Sequence, residues 1–452
     1  ERINGVIFTG STEVAKLINQ TLAKRSDNPV LIAETGGQNA MIVDSTALAE
    51  QVCTDVLNSA FDSAGQRCSA LRVLCVQEDV AEHMLEMIKG AMNELNVGNP
   101  ANMTTDIGPV IDSEAQSNLL AHIGKMKGAA KRFHEIALPH DHEQATFVSP
   151  ILFELNNLND LQREVFGPVL HVVRYRSDEL DAVIDQINGK GYALTHGIHS
   201  RIDGTIEHIC SRIEAGNIYV NRNIVGAVVG VQPFGGHSLS GTGPKAGGAF
   251  YLQRLSRGGH WQIPADIRQA ETDGRALTIL DKLLPQMGFS HEQKVQLGGI
   301  MGQSKVHTLR QAEQILPGPT GERNSARWHA PAKVWLYGGD LTASFAALIE
   351  LAAAGSRVVV SQQHPLAPWR EHSEGLIEVS SQNIPAHLAH LVALEPLPAE
   401  LKLQAAQQDG AIIKLIDATA GLDILQVFEE ISLSINTTAA GGNASLMAMQ
   451  ES

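Results

Sequence analysis

Short apolar runs alternate with helix-period stretches along this chain, and glycine-bearing turns sit at the joins. Gly5-Val6-Ile7-Phe8 reads as a short buried strand, Thr9-Gly10-Ser11-Thr12 as a turn, and Glu13 to Lys24 as a helix. Pro29 to Ala33 is apolar again and ends at Glu34-Thr35-Gly36-Gly37. Strand, turn, helix, strand is the order of a parallel α/β sheet, because parallel neighbours need a crossover long enough to hold a helix. The order returns late in the chain, with Lys333 to Tyr337 as strand, Gly338-Gly339 as turn, a helix to Ala353, and Arg357 to Ser361 as strand. Between these, residues 46–62 and 79–95 read as helices and Leu71 to Val76 as a strand. Strand-like runs recur at 147–153, 169–175 and 217–220. Residues 128–145 are polar and read as a surface excursion, 230–248 as a glycine-rich loop, and 266–330 as polar and helical. The fold class is therefore α/β.

A chain of 452 residues holds roughly two to three domains. Its 34 basic and 49 acidic residues give a net charge of −15, which lacks the electrostatic footprint of a nucleic-acid binder. No apolar run is long enough for a transmembrane helix. The four cysteines, Cys53, Cys68, Cys75 and Cys210, form no Cys-x-x-Cys pair and no disulfide scaffold, so a reduced, cytoplasmic setting is expected. His140/His142 and His196/His199 lack cysteine or acid partners at ligand spacing. They are expected to be surface histidines, and no metal site is expected.

Several residues invite a chemical reading beside a plain one. Cys68 follows Gly65-Gln66-Arg67 in a turn between helix and strand, where a thiol can meet backbone N–H groups and a neighbouring cation. A lone cysteine is also often just a small buried hydrophobe. Glu34 ends a strand before a glycine pair, at the end that faces the ligand crevice in α/β folds. Beside Ile32 and Ala33 its carboxyl can have a raised pKa suited to a general base, or it can be a surface acid. Thr9-Gly10-Ser11 opens a helix and can hold a phosphate or act as an ordinary cap. Glu164-Val165-Phe166-Gly167-Pro168 and Pro233-Phe234-Gly235-Gly236 mean little singly.

Taken in order, these five elements resemble the aldehyde dehydrogenase superfamily. The turn from Phe8 to Val14 is similar to the family's cofactor-helix start, Glu34-Thr35-Gly36-Gly37 to its general-base motif, and Gly65-Gln66-Arg67-Cys68 to its nucleophile. Gly108-Pro109 and Ser149-Pro150 fall at family landmarks. Ser69 after the cysteine, Gln38 after the glycine pair, and the loop Gly226-Ala227 leading to Phe234 resemble the glutamate-semialdehyde dehydrogenases. Asn217 to Arg222 and Ser240 to Lys245 point the same way, toward the proline utilization A family of bifunctional proline-to-glutamate enzymes.

The resemblance implies an aldehyde dehydrogenase fold: the end of a Rossmann-like NAD domain over 1–35, an α/β catalytic domain over 36–240, a return or oligomerisation segment over 241–265, and a degenerate second Rossmann domain over 266–452. Leu351 to Val360 is similar to a cofactor strand. Ala439-Ala440-Gly441-Gly442 echoes the Glu34 motif without its acid. The implied reaction is NAD-dependent oxidation of L-glutamate γ-semialdehyde to L-glutamate. In it Cys68 is the nucleophile and Glu34 the base. Thr9, Gly10, Ser11, Glu164 and Phe166 bind the cofactor, and Ser69, Gly226, Ala227 and Phe234 bind the substrate. Rossmann strands, an adenine-side lysine and an oxyanion-hole asparagine would precede Gly5 in such a fold. The chain is thus expected to be the C-terminal portion of a longer homo-oligomeric polypeptide with a proline dehydrogenase domain and its FAD upstream. Peripheral membrane contact is open to that whole enzyme. Ala15 stands where the family usually has Gly. Another aldehyde specificity, or a non-catalytic structural chain, are the alternatives.

Overall fold

The computed structural model describes residues 3–138, 145–256, 261–264, 267, 272–304, 309–382, 384–385 and 388–438. The chain separates into two compact units that interleave in sequence. One comprises Glu1–Thr35, Pro233–Leu316 and Ser325–Ser432; the other comprises Gly36–Gln232, Pro317–Asn324 and Leu433–Ser452.

The first unit contains a parallel pair, Gly5–Thr9 with Val30–Glu34, joined by the helix Thr12–Ala23. Thr9 lies opposite Glu34 in register, so the turn and the acid share the C-terminal end of the pair. Its main sheet has five strands, all parallel, in the spatial order Ile377–Ser380, Arg357–Ser361, Lys333–Tyr337, His390–Ala393, Lys414–Asp417. Numbered along the chain that order is 3-2-1-4-5, a doubly wound sheet. The period of two is visible in its packing. Val334, Leu336, Val358, Val360 and Val392 face a core shared with the helices Gly274–Leu283, His291–Ser304 and Leu341–Ala353. Trp335, Val359, Leu391 and Ala393 face the opposite core with Leu401 and Ala405. Both faces are covered, as a parallel sheet requires.

The second unit is built on strands in the order Asn217–Val220, Thr195–His199, Ala40–Val43, Val73–Gln77, Val169–Tyr175, Ile151–Glu154 and Arg132–Glu135. These pairings are parallel except the last, which is antiparallel. The strands Glu322–His329 and Glu429–Asn436 contribute their ends to this unit. Ala40–Val43 is buried throughout, which explains its unbroken apolar sequence.

Several local expectations change. The segment around 128–145 contains an edge strand, Arg132–Glu135, because Phe133 packs on Phe153 of the neighbouring strand. The stretch 266–330 is not helical throughout: Glu313–Leu316 and Glu322–His329 are strands, the second burying Ser325, Ala326 and Trp328. His196 and His199 are buried, not at the surface. They lie on the strand Thr195–His199, which is buried along its whole length between two parallel neighbours. His140, His142 and Ala439 to Gly442 lie outside the described residues. Among the described residues, no helix is long and apolar enough to cross a membrane.

Candidate active site

In the second unit the helix Ala49–Phe61 breaks into a short 3-10 turn, Asp62–Gly65. Ser63, Ala64 and Gly65 are all left-handed, with φ of 55, 53 and 65°. At Gly65 a side chain is excluded twice over, since a Cβ would lie 2.2 Å from the Gly167 carbonyl oxygen. This turn delivers Gln66, Arg67 and Cys68. Gln66 is pinned by accepting from the Ile111 N–H at 2.8 Å, and Arg67 Nε donates to Ser63 Oγ at 3.0 Å. Asn39 Nδ2 donates to the carbonyls of Cys68 and Ala70 at 2.6 and 2.8 Å, and Asn39 Oδ1 accepts from Thr195 N–H. The Cys68 backbone is therefore fixed on both sides.

Arg72 organises the surroundings. It is 1% exposed. Its guanidinium donates to the carbonyls of Gly65, Gly167 and Arg67 and to Glu164 Oε1 at 3.1 Å. It stacks 5.1 Å from the Phe166 ring centroid and lies near enough to Cys68 for their charges to interact. Glu164 passes over the bare Cα of Gly36, where a Cβ would come within 2.1 Å of Oε2. Glu164, Phe166, Gly36 and the Cys68 turn thus meet around one buried cation. Arg72 had a signal of its own, a lone cation in the apolar run Ala70 to Val76, which the motifs did not include.

Ser69 is buried beside the thiol, and its carbonyl accepts from Thr195 Oγ1 at 3.2 Å. Gly226 is left-handed, with open space where a Cβ would stand. The loop after it closes on Gln232, whose Oε1 accepts from Val228 N–H at 3.0 Å. Gln232 Nε2 donates to Glu322 Oε1, Asn324 Oδ1 and Ser434 Oγ, and Arg222 pairs with Glu322 Oε2 at 2.6 Å. Residues almost a hundred or more positions downstream therefore hold the Gly226-Ala227 loop, a dependence no local pattern discloses.

The first unit presents Glu34. Glu34 Oε2 accepts from the Gly236 N–H at 3.0 Å, and Oε1 has no hydrogen-bond partner among the described residues. Burial pushes its carboxyl up to about 8, against the opposing pull of that N–H and of Lys245. Gly235 is needed there, since a Cβ would lie 2.6 Å from Glu34 Oε1. The segment is strapped to the Glu34 strand by Thr35 N–H to Ser240 O, Thr242 N–H to Ala33 O, and Thr35 Oγ1 to Leu239 O. Phe234 exchanges backbone hydrogen bonds with Ala246 in the same segment. Across the register, the Gly10 N–H donates to the Glu34 carbonyl at 3.1 Å, and Ser11 caps the helix with its hydroxyl accepting from Val14 N–H. Thr9, Gly10 and Ser11 are exposed, leaving the helix N-terminus open to an anion.

The second unit thus carries a thiol on a rigid turn, and the first a buried acid of raised pKa. The profile described as "Aldehyde dehydrogenase family" matches residues 1–257. The chain belongs to the aldehyde dehydrogenase family. It is 45% identical to the bifunctional protein PutA of Klebsiella aerogenes over 471 aligned positions, which cover 98% of this chain and 36% of that protein. It is 36% identical to the 1-pyrroline-5-carboxylate dehydrogenase of Geobacillus thermodenitrificans, over 56% of this chain and 49% of that one. A solved Bradyrhizobium japonicum proline utilization A variant superposes with a TM-score of 0.54 at 59% identity, covering 56% of this chain and 26% of the other. The proline utilization A of Corynebacterium freiburgense, 23% identical, superposes over 96% of this chain and 42% of its own with a TM-score of 0.74, which shows the shared fold. This aldehyde dehydrogenase chain spans about a third of the length of the PutA proteins it matches. The resemblance read from the ordered motifs therefore holds at the level of the family and the α/β fold.

Proposed function

We propose that this chain oxidises L-glutamate γ-semialdehyde to L-glutamate with NAD, as the aldehyde-oxidising part of a longer bifunctional enzyme. The observation that carries the reading is the Cys68 turn, whose three left-handed residues and buried Arg72 hold one thiol in one place. Cys68 attacks the aldehyde carbon, and its own backbone N–H donates to the oxygen that gains charge. Glu34 takes a proton from water, and that water releases the acid from the thiol. Ser69 and the N–H groups of the Gly226-Ala227 loop receive the substrate's α-carboxylate, with no bulky side chain in the way. Phe234 is assigned to the substrate as well.

The residues fit a nicotinamide dinucleotide. The open helix N-terminus at Thr9-Gly10-Ser11 suits its phosphates, and the Glu164 carboxylate over bare Gly36 suits a ribose hydroxyl. The half-exposed Phe166 ring is assigned to the same ribose and its base. The cofactor, when bound, supplies the hydride acceptor. Proline oxidation and its FAD belong, in this reading, to the rest of a cytoplasmic, homo-oligomeric polypeptide. The five-stranded sheet of residues 333–417 is read as a degenerate second Rossmann domain.

The test uses the full-length protein, the semialdehyde and NAD. The parent is expected to form NADH. Cys68→Ala should form none while binding NAD as the parent does, and ordinary turnover in that variant would remove Cys68 as the nucleophile.

A further inference from the structure

We propose that His237, His329, His390 and Glu429 form a structural site for one divalent cation of the zinc class, apart from the aldehyde chemistry. All four belong to the first unit. His237 follows the Gly235-Gly236 turn, His329 closes the strand Glu322–His329, His390 opens the strand His390–Ala393, and Glu429 opens the strand Glu429–Asn436. Glu429 is their centre. Its Oε2 lies 3.4 Å from His237 Nδ1 and 3.1 Å from His329 Nε2, and its Oε1 lies 3.8 Å from His390 Nε2.

The His237 and His329 separations match those of a tetrahedral ligand shell. Bonds of about 2.0–2.1 Å to zinc place neighbouring donors roughly 3.3 Å apart. The His237 and His329 separations from Oε2 already fit, and the ligand atoms of His237, His329 and Glu429 all lie within 4.8 Å of one another, while His390 faces the other oxygen, Oε1, and joins the shell on rotation of its ring or of the carboxylate. Three imidazole nitrogens and one carboxylate oxygen suit zinc far better than magnesium or calcium, which prefer all-oxygen shells.

The site is also unsatisfied as it stands. His390 is 3% exposed, and neither of its ring nitrogens has a hydrogen-bond partner among the described residues. Its Nε2 faces Glu429 Oε1 at 3.8 Å, beyond hydrogen-bond distance. Each unpaired buried polar group costs free energy, and two carboxylate oxygens cannot serve three imidazoles with good geometry. A cation takes one lone pair from each ring and the charge of Glu429. Lys245 and Lys414 are the cations that also face this cluster. Burial pushes both toward their neutral form, and Lys414 Nζ donates to the Gln426 carbonyl at 2.7 Å. An ion here would tie three strand ends to the turn whose Gly236 N–H holds Glu34.

The experiment uses the full-length protein prepared without a histidine tag, stripped with chelator, and titrated with zinc and separately with cobalt. One tight equivalent per chain is expected, with the intense visible absorption of four-coordinate cobalt and a rise in Tm on zinc addition. His329→Ala removes the most exposed ligand, so it is the variant that keeps its fold. Its affinity should fall by more than the roughly 10- to 100-fold seen for second-sphere changes, and Glu429→Gln should lose the site. Because the parent titration decides without any variant, a folding defect in Glu429→Gln leaves the test intact. No equivalent retained by the parent, a six-coordinate cobalt spectrum, or binding unchanged in His329→Ala would each overturn the proposal.

Discussion

Arg72 sits where a charge is least welcome, buried just before an apolar strand, and it persists because its donors meet three carbonyls and Glu164. Replacing it takes the buried cation away from Glu164 and one donor from each of those carbonyls. Arg72→Met should therefore cost about 3–5 kcal/mol, the usual result of removing one partner of a buried pair, read as a lower urea midpoint. Glu34 poses the opposite problem, a carboxyl whose pKa is raised from 4.5 to about 8 by burial. The folded state holds this proton more tightly than the unfolded chain. The resulting stability is full below about 4.5 and is lost as pH rises toward about 8. Glu34→Gln mimics the protonated acid, so the parent's Tm should fall relative to that variant across this window. Release of product from the thiol should rise over the same window in the parent, as the base ionises, and stay slow in Glu34→Gln with a burst of NADH ahead of it. A flat Tm difference would mean that Glu34 titrates normally.

At the scale of elements, the turn from Asp62 to Gly65 converts a helix into the platform for Cys68. Three successive left-handed residues are costly, by about 1–2 kcal/mol for each that carries a Cβ, and they are held by Arg72 and by contact with Gly167. Gly65→Ala adds that cost and a clash with the Gly167 carbonyl. It should lower stability by more than about 2 kcal/mol in chemical denaturation, and should also lower kcat by displacing the thiol. A variant as stable and as active as the parent would show the turn to be adaptable. The parallel strands were legible because both of their faces are apolar. Val169–Tyr175 and Lys333–Tyr337 fall at their expected bounds. The edge strand Arg132–Glu135 and the strand Glu322–His329 were not, because polar edge and mixed-face strands lose the run of apolar residues that marks a central one.

At the scale of the whole molecule, distant segments hold the loop expected to receive the carboxylate. Glu322 binds both Gln232 and Arg222. Glu322→Ala should loosen the Gly226-Ala227 loop and weaken a charge-assisted contact worth about 1.5–3 kcal/mol, roughly ten- to a hundredfold. The check is kcat/KM for the semialdehyde divided by that for propanal, which has no carboxylate to place. A ratio equal to the parent's would separate this loop from substrate choice, whatever happens to Tm. The sequence by itself determined the α/β class and the family, and it singled out Glu34, Cys68 and the Thr9-Gly10-Ser11 turn as candidates. Each is a short motif whose backbone needs, a glycine at a left-handed or crowded position or a polar residue at a strand end, are written in adjacent residues. Only the tertiary structure decided what surrounds them. It brought Arg72 to Glu164, Glu322 to Gln232, and His237, His329 and His390 to Glu429. Such convergences join residues from separate strands, and their spacing along the chain follows the order in which the strands pack, which no local period records.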